Sequence, residues 1–208
     1  MHYTSILFDL DGTLLDTLGD LTAAMNRTLT RHGLPERTRQ QMRTALGNGA
    51  RRLMELSVPT GTDSALFETL LAEYNADYAA HCRIETAPYP GVDALLQQLL
   101  RTLHAQGRKL AIVSNKPDEA VRALRADFFA DAVQIAVGET AAIRRKPAPD
   151  MLLAAMEQLG AAPDKTVFVG DSEVDIATAR AANLPCISVL WGFRDRDVLE
   201  RAGAQQFA

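Results

Sequence analysis

Short apolar runs alternating with helical patterns predict an α/β protein built on a parallel sheet, interrupted near its start by an all-helical insertion. Three observations carry this. Five runs rich in Ile, Leu, Val and Phe are separated by segments whose apolar residues recur at helical spacing. Nothing between Thr17 and Thr86 alternates as a strand does. The dense turn signal Pro88-Tyr89-Pro90-Gly91 then closes the helical stretch. These signals set the boundaries at 1–16 and 87–208 for the α/β core and 17–86 for the helical block.

The opening strand is expected over Thr4 to Asp9. Leu18, Leu21, Met25 and Leu29 make Thr17 to His32 an amphipathic helix closed by Gly33. Glu36 to Leu46 and Ala50 to Leu56 are expected as short helices around a Gly47-Asn48-Gly49 turn. Leu66, Phe67, Leu70, Leu71, Tyr74 and Tyr78 mark a longer helix reaching about His81. Beyond the linker, Val92, Leu95, Leu96, Leu99 and Leu103 are expected on one helix face, with Gly107 as its C-terminal cap. Lys109 to Val113 is the next strand and delivers Ser114, Asn115 and Lys116. Pro117, Asp118 and Glu119 open a helix, and the acids suit its N-terminal dipole. Ala132 to Val137 is a strand; Lys146-Pro147-Ala148-Pro149 starts a helix ended by Gly160. Thr166 to Val169 is a strand delivering Gly170, Asp171 and Ser172, Glu173 to Ala182 is helical, and Cys186 to Leu190 is the last clear strand.

The 208 residues suffice for one core plus an insertion, and 47% apolar with 23% charged residues is an ordinary globular balance. A formal net charge of -4 with the signs well mixed argues against a nucleic-acid partner. The start, Met1-His2-Tyr3-Thr4, has no signal-like pattern, and no stretch is long and apolar enough to span a bilayer, so no membrane partner and a cytoplasmic location are expected. Cys82 and Cys186, far apart, fit small buried hydrophobes rather than a disulfide or zinc pair.

Three strands therefore end in chemically useful groups: Asp9 and Asp11; Ser114 and Asn115; Asp171, Ser172 and Asp175. A parallel sheet gathers strand ends at one edge, where open α/β folds bind their ligands. Gly12 lets the chain turn sharply just after the first set. Two carboxylates about 4 Å apart repel by about 4 kcal/mol at an effective dielectric near 20, so Asp9, Asp11 and Asp171 together require positive charge. Mg²⁺ is the hard cation that takes carboxylate oxygens, keeps waters and also binds phosphate. With Lys146, a hydroxyl and a spare carboxylate, the set suits phosphoryl transfer. A carboxylate nucleophile would divide that reaction into two displacements, assisted by a second carboxylate as acid and then base.

Asp9-Leu-Asp11-Gly12-Thr13, Ser114-Asn115-Lys116-Pro117, Lys146-Pro147-Ala148-Pro149-Asp150 and Gly170-Asp171-Ser172-Glu-Val-Asp175 resemble, in order, the four motifs of haloacid dehalogenase-superfamily phosphatases. The resemblance covers most of the chain and implies a Rossmann-like core with an inserted all-helical cap. It implies Asp9 as the nucleophile that becomes an aspartyl phosphate, and Asp11 as general acid and base that also lends its backbone carbonyl to Mg²⁺. Ser114 and Asn115, with the Gly12-Thr13 turn, would hold the phosphoryl group, and Lys146 would neutralise it and orient Asp9. Asp171 would complete the metal site formed with Asp9 and Asp11, and Asp175 would support it from behind. Superfamily dehalogenases, which need no Mg²⁺, lack the second aspartate that is present here as Asp11.

The helical block lies where that family inserts its cap, which excludes water during chemistry. Gly47-Asn48-Gly49-Ala50-Arg51-Arg52 and Trp191-Gly192-Phe193-Arg194 resemble the phosphoglycolate phosphatase subgroup. Arg51 or Arg52 offers a fork to a substrate carboxylate, against the alternative of two solvated arginines opening a helix. Arg144 and Arg145 either add positive field near Lys146 or belong to a solvated loop. Trp191 reads as packing, and His2, His32, His81 and His104 share no metal-ligand spacing. Two departures stand out: Val137-Gly138-Glu139-Thr140 looks like a shortened loop, and the chain ends at Ala208 where family members carry a further short strand and helix.

The leading expectation is a Mg²⁺-dependent phosphatase of a small phosphorylated metabolite, 2-phosphoglycolate favoured, working as a monomer or homodimer. The alternatives are a β-phosphoglucomutase-like sugar phosphate mutase and a non-catalytic receiver-like module phosphorylated on Asp9.

Overall fold

A computed structural model of the chain describes residues 3–91 and 93–208. His2 and Val92, both named above, lie outside the described residues. The chain divides into two compact units, one running up to Leu15 and from Pro88 to Ala208, the other spanning Asp16–Ala87.

The first unit is an α/β core. Its strands are β1 (Ser5–Phe8), β2 (Lys109–Pro117), β3 (Ile135–Glu139), β4 (Thr166–Gly170) and β5 (Cys186–Ser188). They form one sheet in the order β3-β2-β1-β4-β5, with every pairing parallel. The central strand is thus β1, and its neighbours are the two strands that end in the other functional groups. Phe8 lies opposite Ile112 on one side and Val169 on the other, so Asp9, Ser114 and Asp171 all come within two residues of a common line across the sheet.

Successive strand residues point to opposite faces, and both faces are covered. One buries Phe8, Leu110 and Ile112 against helices α5 (Asp93–Ala105) and α6 (Asp118–Phe129) through Leu96, Leu100, Val121 and Leu124. The other buries Leu7, Ala111, Val113 and Phe168 against α7 (Asp150–Leu159) and α8 (Glu173–Ala181) through Met151, Leu152, Ala155 and Ala179. Gly160 ends α7 in the left-handed conformation, φ 58°.

Several expectations need correction. The buried stripe of α5 is Leu96, Leu100 and Leu103, whereas Leu95 and Leu99 are 65% and 47% exposed. In so leucine-rich a helix, spacing alone does not say which of two apolar stripes faces the sheet. Strand β2 does not stop at Val113 but continues through Ser114, Asn115 and Lys116 to Pro117, with a shift of register against β3 in that stretch. Past β5, Arg196–Arg201 forms helix α9, and Phe207 bridges Ser188 in parallel.

The second unit is helical, with α1 (Leu18–Arg31), α2 (Arg39–Ala45), α3 (Gly49–Ser57) and α4 (Ser64–His81). Helix α2 begins three residues later than Glu36 because Thr38 and Gln41 form a capping box, each side chain bonding the other's backbone N–H at 3.2 and 2.8 Å. Where the chain enters and leaves this unit, Asp16 pairs with Ala87, and the buried Asp20 carboxylate accepts the N–H groups of Ile84, Glu85 and Thr86 at 2.9 to 3.1 Å. No helix among the described residues is long and apolar enough to cross a membrane.

Helices α1 and α4 are fastened by Asp77, whose side chain is only 3% exposed. It accepts from Arg27 at 2.6 and 2.9 Å and from Arg31 at 3.0 Å. Burial alone would raise this carboxyl, but the two guanidinium groups outweigh it and hold it below the usual carboxylate range. Asp77→Ala is expected to cost about 2–3 kcal/mol, below the figure for fully buried pairs because Arg27 and Arg31 keep contact with solvent. Urea unfolding followed by circular dichroism checks this.

Candidate active site

The loop after β1 is set by local bonding. Asp9 still belongs to the ladder, donating its N–H to Val169 O at 2.8 Å, and the N–H groups of Leu14 and Leu15 then both turn back to Leu10 O at 3.0 Å. Gly12 has φ +84°, and a Cβ there would fall on the Asp171 carboxylate and the Phe193 ring. Conformation and space both require glycine at this position. Thr13 Oγ1 donates to Asp171 Oδ1 at 3.4 Å, and Thr13 O accepts the Trp191 indole N–H at 3.0 Å.

At the end of β2, buried Ser114 accepts the Lys116 N–H on its Oγ at 3.3 Å. Asn115 grips the backbone of Lys146 from both sides: its Nδ2 donates to Lys146 O at 3.0 Å and its Oδ1 accepts Lys146 N–H at 2.8 Å. That clasp fixes the root of the Lys146 side chain. Its Nζ then lies 2.8 Å from Asp9 Oδ1 and 2.7 Å from Asp175 Oδ1, with 3% of the side chain exposed. The Phe168 ring lies 5.5 Å away and adds a cation–π contact.

Asp175 is held in turn by the start of α8. Its Oδ2 accepts from Ser172 N at 3.1 Å and from Ser172 Oγ at 2.6 Å, while Ser172 Oγ caps the Asp175 N–H. Its carboxylate occupies the space a Cβ would need at Gly170. Asp171 Oδ2 accepts the Phe193 N–H at 2.7 Å, and a Cβ on Gly192 would strike Asp171.

Asp9, Asp171 and Asp175 each offer an oxygen within 4.8 Å of the others. Burial, then the charges of Asp175 and Asp171, push the Asp9 carboxyl well above its usual range, although Lys146 pulls it down. Asp171 is raised to about 7 by burial and by Asp175, against the opposing pull of the Phe193 N–H, Lys146 and Arg194. Lys146 itself is disfavoured as a cation by burial, but Asp175 and Asp9 more than offset this and raise its pKa. The ammonium is therefore charged, and it stands against a cluster of three acids. Asp175 spends both oxygens on Lys146 and Ser172, which leaves Asp9 and Asp171 as the acids best placed to share a cation. This donor set, all hard oxygen, fits a divalent metal. The Cys186 thiol, pushed up to about 12 by burial and Asp175, offers no thiolate.

Nine expected residues gather in the core at these strand ends: Asp9, Asp11, Gly12, Thr13, Ser114, Asn115, Lys146, Asp171 and Asp175. The Asp11 side chain, however, lies outside the three-acid cluster and pairs with Lys116 Nζ at 3.0 Å. Arg51 belongs to the helical unit, where Glu68 holds its guanidinium by two bonds of 2.8 and 2.9 Å. Arg52 pairs with Glu55, Arg144 with Asp150 and Arg145 with Glu139. His32 meets Glu73, and His81 and His104 bond backbone carbonyls; no histidine joins a metal-like cluster among the described residues. Sequence reasoning gave no role to Lys116, nor to the Phe193 N–H that orients Asp171. Lys116 carried a signal, a cation directly after Ser114-Asn115; a backbone N–H carries none.

The sequence model of the haloacid dehalogenase-like hydrolase family matches residues 6–189. A phosphoglycolate phosphatase from Xanthomonas campestris pv. campestris is 35% identical over 191 residues, which cover 91% of this chain and 84% of that protein. An N-acetylmuramic acid 6-phosphate phosphatase from Pseudomonas aeruginosa is 32% identical, covering 93% and 84%. Among solved structures, a protein from Lactobacillus delbrueckii subsp. bulgaricus superposes with a TM-score of 0.91 at 36% identity, covering 100% of this chain and 95% of that one. The fold, the strand-end acids and these similarities agree: this chain belongs to the haloacid dehalogenase-like hydrolase family, and its relatives there include phosphoglycolate phosphatases.

Proposed function

We propose that this protein is a Mg²⁺-dependent phosphomonoesterase acting on a small phosphorylated metabolite, with 2-phosphoglycolate as the favoured substrate. The observation that carries the reading is the convergence on Lys146 Nζ of Asp9 at 2.8 Å and Asp175 at 2.7 Å, with Asp171 in the same acid cluster. The names of the relatives support the substrate. In this reading a carboxylate oxygen of Asp9 attacks phosphorus, the bond to the alcohol oxygen breaks, and Asp11 gives that oxygen a proton. Asp11 then takes a proton from water, whose oxygen attacks phosphorus. The bond to Asp9 breaks, and inorganic phosphate leaves with the carboxylate restored.

Lys146 orients Asp9 and pulls its carboxyl toward the ionised form, and Ser114 and Asn115 hold the phosphoryl oxygens. Asp9, Asp171 and the Asp11 backbone carbonyl would hold Mg²⁺, which when bound neutralises charge shared between carboxylate and phosphate. We assign to the helical unit, Asp16–Ala87, the exclusion of water that an acyl phosphate requires.

Asp9→Asn keeps size and most packing but removes the nucleophile. Mg²⁺-dependent phosphate release is expected to fall at least about 10⁴-fold while the circular dichroism spectrum is unchanged. Normal turnover by the folded variant refutes the assignment.

A second test reads metal binding without activity. Because the Asp171 carboxyl is raised to about 7, the metal-free protein keeps a proton that the unfolded chain has released. That contribution to stability is fully present below the unfolded carboxyl's pKa and is lost as pH rises through about 7. Metal requires the ionised form, so the rise in Tm caused by Mg²⁺ should be small near pH 6 and grow toward pH 8. At a hundredfold excess over its Kd it should reach about 5 °C or more. Differential scanning calorimetry checks this, and Asp171→Asn should abolish the rise.

A further inference from the structure

Trp191, which the sequence reads as packing, closes a ring of contacts around Asp171. Past Val189, whose N–H still bonds Gly170 O at 2.9 Å, the chain forms neither strand nor helix until α9. There it lies against the loop after β1. The Trp191 indole N–H donates to Thr13 O at 3.0 Å, and a Cβ on Gly192 would lie 2.6 Å from Gly12 O. Arg194, pairing with Glu173 at 2.7 Å, fastens the same segment to α8. Asp171 is met from both segments: its Oδ1 accepts the Thr13 hydroxyl at 3.4 Å, and its Oδ2 accepts the Phe193 N–H at 2.7 Å. Trp191 ties these two donors together. It bonds the residue that supplies the first, and it stands on the same short bend as the residue that supplies the second. The indole is only partly buried, so water was available to its N–H. The bond goes instead to the carbonyl of Thr13.

We infer that Trp191 is a positioning residue for the metal: its bond to Thr13 O keeps the Thr13 hydroxyl and the Phe193 N–H in step, so that the Asp171 carboxylate presents a fixed face to a divalent cation. The inference rests on the proposed function, in which Asp171 is a ligand of Mg²⁺. One donor on each oxygen of a carboxylate stops it from rotating, provided the donors keep their places relative to each other. That restraint matters to Mg²⁺, which demands near-ideal octahedral geometry at about 2.1 Å. Groups that bond a metal ligand directly are commonly worth about 10- to 100-fold in metal affinity. Trp191 acts one step farther back, and its effect should be smaller.

The test titrates the protein with Mg²⁺ alone at pH 8, with no substrate present, and takes the Kd from the rise in Tm. Trp191→Phe keeps an aromatic ring and removes the N–H. It should raise the Kd for Mg²⁺ about fivefold, the worth of one hydrogen bond. A tryptophan that only packs would lower the Tm of the metal-free protein and leave the Kd unchanged, which overturns the proposal. Thr13→Val should also weaken binding, and in that background Trp191→Phe should add less than about twofold, because the ring is already open. A full further loss there shows Trp191 acting by another route and likewise overturns the proposal. Should Trp191→Phe not fold, replacement of Trp191 by 3-benzothienylalanine, which has both rings and no N–H, takes its place. A wild-type Tm that does not respond to Mg²⁺ overturns the metal reading and the inference with it. Equal Mg²⁺ binding by wild type and variant overturns the inference alone.

Discussion

The ammonium of Lys146, buried between Asp9 and Asp175, is the interaction on which the rest of the core depends. A lone buried ammonium or carboxylate is strongly disfavoured, and each of these groups is tolerable only because the others are there. Lys146 reaches its position from a loop, so its backbone needs an anchor, which the two-sided clasp of Asn115 provides. Asp175 comes from a helix, and the capping box with Ser172 sets its angle. Asp9 comes from the central strand, whose ladder to β4 is still intact at its own N–H. One cation therefore locks three separate elements to a single point. Each is restrained by a second bond of its own.

The sheet makes that point available. With β1 between β2 and β4, the two nearest neighbours of Asp9's strand are those that bring Asn115 and Asp171. Helices on both faces leave the strand ends as the edge of the parallel sheet where polar groups can be gathered without breaking the packed layers. Crowding then becomes a matter of volume. Gly12, Gly170 and Gly192 lie where a single methyl would fall on the carboxylate of Asp171 or Asp175. The acids are brought together by side chains that are missing as much as by those that are present.

The sequence made the polar anchors legible because strand ends in an α/β pattern leave one edge for charged groups: Asp9, Asp11 and Asp171 follow apolar runs, and Lys146 precedes the helix between two of the strands. It was less informative where two answers share one pattern. Leu95 and Leu99 are as apolar as Leu96 and Leu100, and only packing against β1 and β2 decides between the stripes. The continuation of β2 through Ser114 to Pro117 was hidden because polar residues at a strand end look like a loop. Arg51 illustrates another limit: spacing shows a guanidinium near a helix start, but not that Glu68, 17 residues on, meets it with both oxygens. Helix α9 was missed because six residues dominated by charge, Arg196–Arg201, show little amphipathic periodicity.

How each acid is held explains where negative charge remains. Lys146 meets Asp9 and Asp175 directly, and the Ser172 hydroxyl and N–H complete the second of these. Asp171 is held instead by neutral donors, the Phe193 N–H at 2.7 Å and the Thr13 hydroxyl at 3.4 Å. Neutral donors orient a carboxylate without cancelling its charge. A lysine in their place would have satisfied Asp171 and removed the attraction for a metal. The raised carboxyl of Asp171 follows from that choice: burial and the nearby Asp175 charge act on an acid whose direct partners are dipoles. The chain sets Lys146 beside Asp9 and leaves the neighbouring Asp171 with neutral partners. That division gives Asp9 a cationic partner and leaves Asp171 with oxygens that fit a divalent cation.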